Sequence, residues 1–229
     1  MFIKSLIFAT LLAGIHCRYV LLEENDVPVY LSGEHTRVRR QAETTVSVDN
    51  KGNLDLAGRV PIARNDKNIL SATGSAGLSP DQKLTSYGAG LALENINGHG
   101  LSLSAKEIPD FGKQLTAAGR FNVVNTPNHN LDANALVTKN MPSIPNVPNF
   151  STVGGSLDYM YKNKVGASLG ATHTDFLKKT DVSALGKLNL YRDPSTTFDF
   201  HAGAARSFSP YIPKSSWEPT FLFTLGKSW

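Results

Sequence analysis

The chain has 229 residues, a formal net charge of +4 and one cysteine. It is long enough for one domain and lacks the cysteines of a disulfide-stapled fold. It has no dense Lys/Arg stripe, so nucleic acid is not an expected partner.

The first element is an apolar run from Leu6 to Ile15, preceded by Lys4. A membrane-spanning helix needs roughly 20 apolar residues, so this shorter run reads as a secretory signal peptide over 1–17, cleaved after Cys17, with Ala13 or Gly14 as the alternative sites. Arg37-Val38-Arg39-Arg40 follows. Proprotein convertases bind such runs through acidic subsites, which suit the planar, permanently charged guanidinium. Residues 18–40 are then a propeptide, and the mature chain begins at Gln41. Glu23, Glu24, Asp26 and Glu34 make the propeptide acidic, which fits either masking of basic surface or a simple aid to export.

From Gln41 onward apolar and polar residues alternate between turn signals, the pattern of strands. Val46 and Val48 precede the turn Asp49-Asn50-Lys51-Gly52. Leu54, Leu56, Gly58, Val60 and Ile62 alternate before Arg64–Asn68. Gly90–Leu93 leads into Asn95-Ile96-Asn97-Gly98, a hairpin signal because Asn and Gly tolerate positive φ. Leu101/Leu103, Phe121/Val123, Leu131/Ala133/Ala135/Val137, Leu157/Tyr159/Tyr161 and Val165/Ala167/Leu169/Ala171 continue the pattern. Val182 to Leu190, Phe198 to Ala204 and Phe221 to Leu225 complete it. No helical period is sustained. The fold class is therefore all-β: an antiparallel meander forming a closed or nearly closed β-barrel, since closure removes exposed edges. Gly and Ala at alternate positions permit close backbone approach.

Segments about 67 residues apart repeat. Gly119-Arg120-Phe121-Asn122-Val123 aligns with Gly186-Lys187-Leu188-Asn189-Leu190, and Leu131-Asp132 with Phe198-Asp199. Between the copies, Pro142, Pro145 and Pro148 recur every third residue, as in polyproline II, so 140–150 reads as a semi-rigid connector. Asn149-Phe150-Ser151 is a glycosylation sequon.

Catalytic and metal chemistry find little support. His99, His129, His173 and His201 are too far apart for zinc spacing, and no nucleophile elbow or phosphate-cradling loop occurs. The chain reads as a non-enzyme without metal or cofactor. Residues 41–105 carry 5 Lys/Arg against 6 Asp/Glu, and 106–229 carry 13 against 9. Basic residues contribute about 1 kcal/mol each at an anionic lipid surface, while micromolar binding needs about 8 kcal/mol. Charge alone is therefore too weak an anchor. The residues suited to membrane or lipopolysaccharide contact are Lys162, Lys164, Lys178 and Lys179 at turns, and Trp217, Lys227 and Trp229 near the C-terminus. Phe221, Phe223 and Leu225 read as one face of a core-forming last strand. Each strand has a single apolar face, able to fill a soluble core or to meet lipid. The expectation is a soluble barrel that rearranges at a surface.

The stretch GNLDLAGRVPIARNDKNILSATGS, the stretch SLDYMYKNKVGASLGATHTDFL and the ending PTFLFTLGKSW, together with the signal and RVRR, resemble the attacins, insect antibacterial proteins. The resemblance spans 41–229, with 41–105 as an attacin-like N-terminal region and 106–229 as a C-terminal region. It implies a secreted immune effector of the haemolymph, acting mainly on Gram-negative bacteria through lipopolysaccharide and the outer membrane. No catalytic residues carry over. The alternative is a secreted β-barrel that carries a small apolar ligand.

Overall fold

The computed structural model describes residues 42–211 and 215–229. The signal, the cleavage site at Arg37–Arg40 and Gln41 lie outside these residues. Twelve antiparallel strands form one closed barrel: β1 (Glu43–Asp49), β2 (Leu54–Arg64), β3 (Asn68–Leu78), β4 (Leu84–Asn95), β5 (Gly100–Ile108), β6 (Gly112–Asn125), β7 (His129–Pro142), β8 (Phe150–Tyr161), β9 (Val165–Thr174), β10 (Lys179–Arg192), β11 (Thr196–Phe208) and β12 (Glu218–Ser228). Each strand pairs with its neighbours in sequence. β1 and β12 close the wall, with Thr45 opposite Gly226 and Val48 opposite Phe223.

The turns follow from local chemistry. Asp49 Oδ1 accepts from the N–H groups of Lys51 and Asn53, and Gly52 supplies a φ of 78°. Asn65 Oδ1 does the same for Lys67 and Asn68. Lys162 and Asn163, at the tip between β8 and β9, both adopt positive φ (49° and 54°). This backbone favours Asn-Gly, so replacing the pair by Asn-Gly should raise stability by about 1 kcal/mol in urea titrations.

Close approach of strands explains an interior glycine. A Cβ on Gly203 would lie 2.0 Å from the Ala184 carbonyl oxygen. Gly203→Ala is expected to destabilise the barrel by about 1–3 kcal/mol, read from the urea midpoint in detergent.

The repeat is geometric as well as sequential. Asn122 Nδ2 donates to Asp132 Oδ1 at 2.7 Å across β6 and β7, and Asn189 Nδ2 donates to Asp199 Oδ1 at 2.7 Å across β10 and β11. In both pairs the register slips at that point, between Asn122 and Val124 and between Asn189 and Tyr191. A bulge of this kind bends and twists the wall, and the amide–carboxylate bond fastens it. The 140–150 segment starts differently from the expected connector. Asn140–Pro142 complete β7, where Asn140 is buried between Gln114 and Thr152. The irregular stretch is confined to 143–149.

The largest correction concerns the apolar faces. Among the described residues no hydrophobic side chain is buried. Phe221, Phe223 and Leu225 are 44%, 45% and 46% exposed and sit on the outside of β12. In β5, Leu101 and Leu103 face out while Ser102 and Ser104 face in. The period-2 alternation holds, but the apolar face is the outer one and not a core. A closed ring offers two surfaces, and here the polar one lines the lumen. The outside is apolar before any rearrangement.

Candidate membrane-contact surface and polar lumen

Strand order places the start of β1, the end of β12 and the β2–β3, β4–β5, β6–β7, β8–β9 and β10–β11 turns on one rim, here called the terminal rim, with the remaining turns on the other. The seven contact residues expected from sequence divide between the two. Lys162 and Lys164 lie on the terminal rim, where Lys162 Nζ sits 5.3 Å from the Tyr161 ring centre. Lys227 and Trp229 join them. Lys227 Nζ is 5.3 Å from the Trp229 ring centre and donates to Thr196 Oγ1 at 3.3 Å, and Trp229 N–H donates to the Ala42 carbonyl. Trp217 lies at the opposite rim, as do Lys178 in the short 3-10 turn Phe176–Lys178 and Lys179, paired with Asp181 at 2.9 Å. Asn149 is exposed on that same rim, just before β8. No single patch gathers all seven.

Between the rims lies a surface to which none of the seven belongs. Val60, Leu91, Leu103, Val137, Leu157 and Leu169 form an exposed aliphatic belt around the barrel. Aromatic side chains flank it: Phe121, Tyr159, Tyr161, Tyr191 and Trp229 toward the terminal rim, and Tyr87, Phe176, Phe208, Tyr211 and Trp217 toward the other. Soluble monomers rarely expose apolar area on this scale. An apolar band between two aromatic girdles suits a hydrocarbon layer with a polar boundary on each side. Eleven of the twelve strands have nine or more residues, and a tilted strand crosses a bilayer with about 9–11.

The inner wall is polar and cross-linked. Arg59 pairs with Glu94 at 2.6 Å, Arg120 with Asp132 at 2.9 Å, and Lys187 with Asp158. Glu94, Arg120, Asp132, Asp158 and Lys187 sit in the half nearer the terminal rim, and Arg59 at the middle of β2. Asn134 Nδ2 donates to Asp158 Oδ2 at 2.7 Å, extending this network along β7 and β8. The other half is lined mainly by hydroxyls and amides, with Thr116 against Thr138, Thr152 against Thr174, and Gln114 against Asn140, and by Asp181, which accepts from the Ser207 hydroxyl. One clue in the sequence pointed inside: the repeated Asn–Asp pair at matching offset.

On the terminal rim, Asp193 accepts from the backbone N–H of Ser195, the Tyr191 hydroxyl, the Ser195 hydroxyl and the N–H of Thr196. These bonds push its carboxyl down to about 2 from 3.8. A depressed folded value adds stability above the unfolded value, and that stability is lost as pH falls through about 2. Asp193→Asn should therefore flatten the stability loss between pH 4 and pH 2, as followed by far-UV circular dichroism. An unaltered acid profile would count against this turn's role.

Comparison with known proteins decides the family. The profile "Attacin, N-terminal region" matches residues 42–107, and "Attacin, C-terminal region" matches 109–229. The chain belongs to the attacin family. Attacin-E of Hyalophora cecropia is 48% identical over 233 residues, covering 98% of this chain and 97% of that protein. Attacin-A of Trichoplusia ni is 54% identical over 192 residues, covering 84% and 75%. Defense protein 3 of Lonomia obliqua is 47% identical over 235 residues, covering 99% of each. Membership makes the chain an antibacterial effector of the immune response and not an enzyme. Among solved structures, a KdgM porin superposes with a TM-score of 0.52 at 12% identity, over 82% of this chain and 99% of the porin. A chain solved for work on in-meso crystallization of membrane proteins superposes with a TM-score of 0.58 at 11% identity, over 82% and 83%. At such identity the likeness is one of fold alone. Both attacin regions contribute to one barrel: β1–β5, all but Ile108, lie in the first and β6–β12 in the second.

Proposed function

We propose that this attacin is secreted as a precursor, cut after Arg40 by a proprotein convertase, and acts on the outer membrane of Gram-negative bacteria by binding lipopolysaccharide and entering the membrane as the closed barrel. One observation carries the reading: the barrel turns its apolar side chains outward and its polar side chains inward, with aromatic girdles at both rims. In the hydrocarbon layer every backbone polar group needs an internal partner, and a closed barrel provides one for each.

The lipopolysaccharide part rests on the terminal rim. Arg64, Lys67, Lys162, Lys164, Arg192 and Lys227 lie there, with Glu43, Asp66, Glu94 and Asp193 as the nearby acids. That rim is net basic and exposed, so it can meet anionic phosphates through screened contacts. A carrier of an apolar ligand would need an apolar lumen, and this lumen is lined by ion pairs, hydroxyls and amides.

The test uses purified 41–229 and the uncut 18–229 form. Protein 41–229 should float with lipopolysaccharide-containing vesicles and inhibit growth of Gram-negative cells, with vesicle capture weakening as salt rises. Equal capture by vesicles lacking lipopolysaccharide would remove that partner from the reading. Equal killing by both forms would keep the effector and reduce cleavage to maturation. Mass spectrometry of the secreted chain should find Gln41 at its N-terminus.

A further inference from the structure

Resting on the reading that the closed barrel spans the membrane, we infer that its lumen is an aqueous, ion-conducting path whose selectivity is set by the charged belt of Arg59, Glu94, Arg120, Asp132, Asp158 and Lys187. The substrate class is small inorganic ions.

Water reaches the belt. Arg120 points inward and is still 48% exposed, while Asp132 beside it is 12% exposed. Lys187 and Asp158 each keep 22%. A filled interior would bury these groups as thoroughly as a soluble core buries leucine. Open spaces of about 300 Å³ and about 250 Å³ run along the inner wall, one bordered by Glu94, Arg120 and Asn134, the other by Asn134, Asp181 and Ser183. Small residues make the room: Ala92, Gly100 and Ala118 in the first, Gly170 and Ala205 in the second.

Geometry agrees. Twelve strands spaced about 4.8 Å and tilted about 40° enclose a backbone ring roughly 24 Å across, which leaves a path on the order of 10 Å after side chains on both walls. The ten loops from β1–β2 to β10–β11 have at most seven residues each. Within the belt each cation pairs with a carboxylate, Asp132 and Asp158 lie opposite each other on β7 and β8, and His201 lies opposite Lys187 on β10 and β11. Removing one member leaves its partner's charge facing the passing ions. Fixed charges in a pore bias which ion sign passes.

The test is conductance across planar bilayers by residues 41–229, which hold all twelve strands. Protease protection in vesicles of the same lipids reports insertion separately. Discrete conductance steps are expected. Under a KCl gradient, Lys187→Gln should shift the reversal potential toward K⁺, and Asp158→Asn should shift it toward Cl⁻. Arg120→Gln is the safer variant, because Asp132 keeps its bond from Asn122, and it should shift toward K⁺ as well. Inserted, protease-protected protein without conductance would overturn the inference, as would identical reversal potentials for all variants. Protein that stays protease-sensitive would overturn the spanning reading together with it.

Discussion

Leu103→Arg is expected to lower membrane partition by roughly 30- to 1,000-fold, while Ser104→Arg on the next residue leaves it nearly unchanged. Leu103 and Ser104 lie at the middle of β5 and differ only in the side of the wall they face. An arginine on the lipid face near the bilayer midplane costs about 2–4 kcal/mol, and each 1.4 kcal/mol is about tenfold. An arginine in a wet lumen meets no such cost. Bacterial growth inhibition should fall in parallel for Leu103→Arg. Far-UV circular dichroism in detergent distinguishes the two meanings of the leucine face. A retained strand signal supports an outward face in contact with lipid. Collapse of the signal would mean that the leucine fills a core, and the outward reading would fail.

Deleting 218–229 should abolish both the closed barrel and killing. β12 is hydrogen-bonded to β1 on one side and β11 on the other, so its loss leaves two open edges. Unpaired backbone groups in hydrocarbon cost several kcal/mol each, and open edges in water invite aggregation. The full barrel should migrate as a compact species in unheated detergent gels and shift on boiling; the deletion should run unfolded in both lanes. Undiminished killing by the deletion would show that closure is irrelevant, and that a segment of the chain acts as a peptide.

The expected effects share one physical source, the division of polar and apolar residues between two faces of a single wall. The Asn-Gly exchange at 162–163 and the Gly203→Ala test concern how the wall is built. Leu103→Arg and the conductance variants concern what each face meets.

The sequence by itself determined the strand class, the turns and the family. Alternation with period two is a local property, because successive side chains of a strand leave on opposite sides. Turn residues such as Asp49 and Asn65 act through bonds two to four residues away. Neither feature depends on distant parts of the chain. The Asn–Asp repeat was visible for the same reason, as two copies of one local arrangement. The inside and outside of the wall were decided only by closure. Phe221, Phe223 and Leu225 form the same stripe whether it faces a core or a bilayer, and period two carries no sign. Closing β12 onto β1 makes one stripe convex and the other concave. It also brings Arg59 to Glu94 across 35 positions of chain, and Lys187 to Asp158 across 29. Such pairings depend on register around the ring, which residue spacing does not contain. The expected contact residues were divided between two rims for the same reason: hairpins alternate ends, so Lys162 and Lys178, close in sequence, lie at opposite mouths of the barrel.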